Sequence, residues 1–323
     1  MNVEKLEYET SLELIPREEY NFNANFHKPS HFPSSDNVWE NGKYWITMVW
    51  QKEKLGILFE DISRENKNKM RARIYSKNPL SKKYLEKIVP ELRWRFNLDN
   101  NQSEFYKRYE NDKMLGPVIK RWKGMKPVAA NSLYETLMIY MVLQNAPVRR
   151  SVQMLENLFD KYGEKVEYAG KVLSTFWEPK DLKNKTEEEL RNLKLGYRTK
   201  FIKKISEQIG EDIINEMELR REGKTKLAKK MSQFYGVGPA TLEYLLFEDF
   251  YHLDALETIP PWEQKILSRI VFDEKKVPSE KIIQFFKKRY PGFEKLAIHY
   301  LWEDLFWKHK KNPISWLEKE IRL

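Results

Sequence analysis

Phe234-Tyr235-Gly236-Val237-Gly238-Pro239-Ala240-Thr241-Leu242 is the stretch of this chain that could do chemistry through its backbone. Two glycines, one small apolar residue apart and between two helix-like runs, make a tight turn with uncovered N–H groups. Such a turn can come close to a phosphate. Pro239 suits the first position of the helix that follows, so the partial positive charge of a helix N-terminus falls at the same spot. A nucleic-acid backbone is the ligand this pattern points to. A plain helical corner without a ligand is the other reading of the turn taken alone.

Composition bounds what the side chains can do. None of the 323 residues is cysteine, which removes disulfides, thiol catalysis, iron–sulfur clusters and Cys-ligated zinc. Five scattered histidines do not suggest a His-rich metal site. The net charge of +10 favours a polyanionic partner, although 48 acidic residues are interspersed among 58 basic ones. The ten tryptophans are enough both to fill a core and to stack on bases. No apolar run reaches 18 residues and the N-terminus is charged and polar. The expectation is a soluble intracellular protein, cytoplasmic and nucleoid-associated or nuclear, with no membrane partner.

The elements that must position the turn fall into two kinds. A strand is expected near Thr10–Ile15, and three more over Tyr44–Trp50, Leu55–Glu60 and Met70–Tyr75, which read together as an antiparallel sheet. From Pro79 the period changes: Leu80, Tyr84, Ile88 and Leu92 recur every four residues behind Ser81, a candidate N-cap. After Tyr106 the chain reads as almost entirely helical. Ser132-Leu133-Tyr134-Glu135 is a capping box ahead of a run apolar nearly all round, expected to be a buried central helix. Further helices are expected over Val148–Tyr162, Thr186–Leu193, Tyr197–Ile209, Ile213–Glu222, Leu227–Phe234, Pro260–Ile270, Ser279–Tyr290, Phe293–Trp307 and Ile314–Ile321. The class is α+β, divided as a sheet domain over 1–115, a central helical bundle over 116–230, and the hairpin with the C-terminal helices over 231–323.

Four segments in this order resemble the helix–hairpin–helix DNA glycosylase superfamily. Ser132–Asn145 with Val148-Arg149-Arg150 looks like its central helix and the loop after it. Leu193-Lys194-Leu195-Gly196-Tyr197-Arg198-Thr199-Lys200-Phe201 is similar to the Leu-Gly-Leu-Gly-Tyr-Arg-Ala-x-Tyr segment of the 8-oxoguanine DNA glycosylases. Tyr235–Thr241 looks like the hairpin. The helix opening at Pro291 and running to Trp302 is similar to a Pro-Trp-Arg-Ser-Tyr-Ala-x-x-x-x-Trp helix of the 3-methyladenine glycosylases. The N-terminal sheet fits the same two families.

The resemblance implies an enzyme of base-excision repair that binds double-stranded DNA as a monomer. It would flip a damaged purine into a pocket and release it, with no metal and no organic cofactor. Gly236, Val237, Gly238, Ala240 and Thr241 would hold a phosphate. Asn145 and Arg150 match positions that fill the gap left by the flipped base; a helix C-cap and a surface arginine are the plain alternatives. The family's catalytic Asp falls on Pro260, twenty-two residues after Gly238, and the lysine of its strand-cleaving members falls on Ala240. Neither residue can do that chemistry, so a monofunctional enzyme is expected. The carboxylates near the gap are Glu263, Glu257 and Asp254, each also readable as a helix-end or loop acid. Trp262, Phe306 and Trp307 are candidate walls of a base pocket, or simply core. A non-catalytic reader of lesions or abasic sites on the same scaffold is the alternative.

Overall fold

The computed structural model describes residues 3–64, 68–210 and 215–321. Strands β1 (Val3–Lys5) and β2 (Tyr8–Leu14) precede a short helix α1 (Phe22–Phe26), which the Asn21 side chain caps. Then come β3 (Asn37–Glu40), β4 (Lys43–Trp50), β5 (Glu53–Asp61) and β6 (Met70–Ser76). β2 to β6 form one antiparallel sheet in the order β2-β6-β5-β4-β3. Strand side chains alternate between faces. Tyr44, Ile46, Met48, Leu55, Ile57, Phe59, Met70, Ala72 and Ile74 therefore share one face, closed by Ile88 and Leu92 of α2 (Lys82–Arg95). Ser81 caps α2 as its position suggests.

The other face of that sheet carries a correction. Residues after Tyr106 are not all helical: β7 (Lys165–Tyr168) and β8 (Lys171–Ser174) form a hairpin, and β1 joins β7 in parallel to make a three-stranded sheet. Val166, Tyr168 and Leu173 pack on Trp45, Leu58 and Tyr75. Gly56 makes the contact possible, because a Cβ there would lie 2.3 Å from the Tyr168 ring.

The helical body comprises α3 (Ser103–Tyr109), α4 (Gly116–Trp122), α5 (Leu133–Leu143), α6 (Val148–Tyr162), α7 (Pro179–Lys183), α8 (Glu187–Arg191), α9 (Arg198–Gly210), α10 (Glu216–Leu219) and α11 (Lys224–Met231). Of the helix expected over Ile213–Glu222, residues 213 and 214 lie outside the described residues, and α10 occupies part of the remainder. α12 (Pro239–Tyr244) runs directly into a single wide π-helical turn, Leu245–Asp249. Then follow α13 (Pro261–Phe272), α14 (Ser279–Arg289), α15 (Glu294–Lys311) and α16 (Ser315–Ile321).

Ser132 and Glu135 form the full capping box of α5, whose Leu137, Met138, Met141 and Val142 are wholly buried. α5 packs chiefly against α6 and α9. One apolar cluster runs from Phe105 to Leu301 and joins the central bundle to the C-terminal helices. No helix among the described residues is long and apolar enough to cross a membrane.

Candidate functional site

The glycine turn is fastened from behind and open in front. Gly236 has φ +93°, and a Cβ there would come within 3.0 Å of the Phe201 ring and 3.1 Å of the Met141 sulfur. Only glycine fits that conformation and that space. Gln144, at the end of α5, donates from Nε2 to the Gly236 carbonyl at 2.8 Å. Gly238 differs: its φ is −90°, and a Cβ there would meet nothing within 4 Å. No side chain caps α12, so the first-turn amides of Ala240 and Thr241 are left for water or a ligand. Tyr235 and Tyr197 are exposed beside the turn, and Lys200 holds Nζ 5.4 Å from the Tyr235 ring centre.

Asn145 lies in the tight link between α5 and α6, exposed and left-handed with φ +48°. Asparagine tolerates that region better than most residues. Its Nδ2 is 3.4 Å from the Tyr197 hydroxyl. Arg150 donates to Gln153 Oε1 at 2.8 Å and to the Lys194 carbonyl. Asn145 directly follows Gln144, which binds the hairpin carbonyl.

The three candidate carboxylates separate sharply. Glu263, in the first turn of α13, is 3% exposed. Its Oε2 accepts from the Tyr244 hydroxyl at 2.8 Å and its Oε1 from Lys295 Nζ at 3.1 Å. Lys295 is 4% exposed, with Nζ 4.7 Å from the Tyr244 ring centre. Glu257 pairs with Lys287 at 2.8 Å and Asp254 with Lys224 at 2.8 Å, both at the surface. Pro260 is the N-cap of α13 and offers no side-chain bond. Instead Glu243 organises the approach to that helix, accepting from the backbone N–H groups of Glu257 (3.0 Å) and Thr258. Burial raises the Glu243 carboxyl, against the pull of Lys295.

Glu263 belongs to a larger ionic cluster that motif reading passes over. Lys295, His299 and Glu303 stand at successive i+4 positions on α15, all buried. That spacing places them on one helix face. Lys28, from the segment after α1, donates to the Lys126 carbonyl and meets His299 Nε2, each at 3.2 Å. Burial pushes Lys28 down to about 8, with Glu303 and Glu248 acting against it. Burial also takes His299 well below the ordinary histidine range, helped by the charges of Lys28, His31 and Lys295. The cluster reaches the surface through half-buried Tyr140, Tyr244 and Glu248, with Tyr140 Oη donating to Glu248 Oε2 at 2.8 Å. The sequence signal was the 295-299-303 spacing of ionisable residues along α15, where Leu296, Ala297, Ile298, Tyr300 and Leu301 lie between them.

The candidate aromatic walls do not converge. Trp262 is half exposed and meets Trp302, which in turn meets Phe306. Phe306 is buried with Ile266, Leu305 and Leu317 in a small cluster against α16. Trp307 turns to another side, where it stacks on Trp122 and meets Trp39 and His27 edge-on. Lys310 lies over the Trp39 ring at 4.8 Å.

No protein-family model matches the chain. A DNA-3-methyladenine glycosylase of Bacillus subtilis is 21% identical over 162 residues, 50% of this chain and 54% of that protein, so the chain spans about half the length of the curated relative it matches. Solved structures match over nearly the whole chain. A 3-methyladenine DNA glycosylase of Archaeoglobus fulgidus superposes with a TM-score of 0.72 at 16% identity, covering 91% of this chain and 99% of that one. The structure described as MBOgg1 with a low-affinity DNA ligand gives 0.68 at 19%, covering 96% and 99%. An 8-oxoguanine glycosylase/lyase of Clostridium acetobutylicum gives 0.65 at 18%, covering 94% and 99%. The chain has the fold of the helix–hairpin–helix DNA glycosylases, and its class is α+β, as expected from its sequence.

Proposed function

We propose that this protein is a monofunctional DNA glycosylase that flips a damaged purine out of duplex DNA and hydrolyses its bond to the sugar. The observation that carries this reading is the buried Glu263 carboxylate at the first turn of α13, held by Tyr244 and Lys295. The helix that carries Tyr244 begins at the glycine turn. Tyr244 stands five positions after Pro239, about 8 Å along the helix axis, and its hydroxyl ties that helix to the Glu263 carboxylate. Phosphate contacts set position and register. Fixed negative charge beside a sugar that turns cationic as the base departs lowers the barrier. Water then takes the place of the base at the sugar carbon, giving free base and an abasic site.

The solved neighbours named for 3-methyladenine and 8-oxoguanine glycosylases support the base-excision reading. Ala240, at the position of the family's lysine, supports hydrolysis without strand cleavage. Glu263 is the favoured acid; Glu257 and Asp254 have surface lysines as partners and are weaker candidates. A non-excising reader of lesions or abasic sites is the second reading, favoured by Pro260 and Ala240 at the two reactive positions.

Base release from duplexes holding 7-methylguanine, hypoxanthine, 8-oxoguanine or uracil, with and without alkali, tests the proposal. Strand breaks from an alkylated purine only after alkali are expected. Breaks without alkali would overturn the monofunctional assignment. Tight binding with no release from any duplex would leave the second reading.

A further inference from the structure

Gln144 joins the glycine turn to the exposed tip at Asn145. It is the C-terminal cap residue of α5, directly before the tip. Its side chain donates to the Gly236 carbonyl at 2.8 Å. Its backbone carbonyl serves a second set of partners, accepting from the Tyr197 hydroxyl at 3.3 Å and from Arg198 Nη2. The same Tyr197 hydroxyl lies 3.4 Å from Asn145 Nδ2. One residue thus binds both the turn and the groups beside the tip.

Two observations separate Gln144 from an ordinary turn contact. Arg198 is 7% exposed, and no carboxylate pairs with it among the described residues. A buried guanidinium is costly unless hydrogen-bonded. The Gln144 carbonyl supplies that bond, so the peptide at 144 is not free to turn. The second observation is a contrast. Gln208, from α9, clasps the same turn: its Oε1 accepts from the Tyr235 N–H and its Nε2 donates to the Gln233 carbonyl, each at 3.0 Å. Among the described residues it has no hydrogen bond to Asn145 or Tyr197. Both glutamines hold the turn, and of the two only Gln144 reaches the tip.

Resting on the reading of duplex DNA as the ligand of the turn, we infer that Gln144 is a positioning residue that makes the glycine turn and the Asn145 tip one unit, so that DNA gripped at the turn is opened by the tip. A phosphate at the turn fixes register. A tip held in place by α5 then meets the duplex without the cost of being ordered first. Without the Gln144 bond the turn still grips DNA, but the tip no longer follows.

Anisotropy and 2-aminopurine fluorescence on one duplex, with the full chain, separate grip from opening. The duplex carries a tetrahydrofuran abasic analogue with 2-aminopurine beside it, whose emission rises as its stacking is lost. Gln144→Met keeps the side-chain length and removes the donor. It should weaken affinity about three- to ten-fold, as loss of one hydrogen bond does. It should also lower the 2-aminopurine rise at saturating protein by about two-fold or more. Gln144→Glu, the same shape with an acceptor set against the Gly236 carbonyl, should act in the same direction, and melting curves confirm that both variants are folded. Gln208→Met should weaken affinity similarly and leave the saturated rise unchanged. A saturated rise equal to wild type in Gln144→Met and Gln144→Glu, or an equal fall in Gln208→Met, would overturn the inference. No rise with the wild type would overturn both the inference and the flipping step of the proposed function. The expected pattern without base release from any duplex would uphold the inference and overturn excision alone.

Discussion

Two buried ionic clusters in this molecule show opposite electrostatic outcomes. The first joins α2 to the helical body: Glu91 takes Arg95 at 2.7 Å and the two terminal nitrogens of Arg220, which also binds Glu216 at 2.6 Å. Opposite charges alternate. Burial alone would raise the Glu91 carboxyl, but Arg220 and Arg95 outweigh it and hold it down at about 2. The second is the Lys28–His299–Glu303 cluster with Glu263 and Lys295. There burial prevails: Lys28 is pushed down to about 8, His299 falls well below its ordinary range, and Glu303 is raised. Under comparable burial the charged form prevails in one place and is weakened in the other. The difference lies in the partners. Arg95 and Arg220 both serve Glu91, while Lys28 faces a histidine and Glu303 Oε2 has no hydrogen-bond partner among the described residues. Perturbed groups cluster at sites that do chemistry, although structural ion pairs such as Glu91 with Arg220 are perturbed as well.

Breaking the first cluster should have the largest effect on stability. Glu91→Gln leaves two buried guanidinium groups short of a partner and should cost about 3–5 kcal/mol, read by chemical denaturation, with base release per folded molecule unchanged. The sign with pH follows from the lowered carboxyl. Its stabilisation is complete above the ordinary value of 4.5 and is lost as pH falls toward 2. The gap in stability between wild type and Glu91→Gln should therefore narrow across that window.

The hairpin sharpens the comparison from outside. Gly238→Ala should change melting little, since a Cβ there meets nothing. It should weaken duplex binding about ten-fold in a fluorescence anisotropy titration, by blocking a close phosphate approach. Loss of stability instead would show that the position is packed rather than open.

A further effect concerns Lys28. Its folded value near 8 lies below the ordinary 10.5, so the folded state releases its proton first and gains stability as pH rises between those values. Melting curves across that range should show wild type gaining on Lys28→Met; a constant difference would contradict the weakened charge.

Much of the scaffold was legible because it rests on local rules. The capping box at Ser132, the cap at Ser81 and the alternation over residues 44–50 and 70–75 depend on neighbours in sequence, and each stands where it was read. β7 and β8 were missed because four residues are too few for an alternation to stand out from its surroundings. They exist through distant partners, β1 and the Trp45 face of the large sheet. The ionic cluster was hidden for a related reason. Lys28, Lys295 and Glu303 are types that normally face water, and only tertiary packing of the residue 28–31 segment, the wide turn and α15 takes them inside. Glu263 could be singled out from its place near the helix start, but its partners Tyr244 and Lys295 could not, since they come from two other helices.

Glu263→Gln tests the central claim most directly, by comparing single-turnover release of 7-methylguanine with affinity for an abasic duplex in the same preparation. The account predicts that release falls by about a hundred-fold or more while affinity stays within about two-fold, because the substitution removes a charge used only as the base departs. Release at the wild-type rate, or release and affinity falling together, would contradict it.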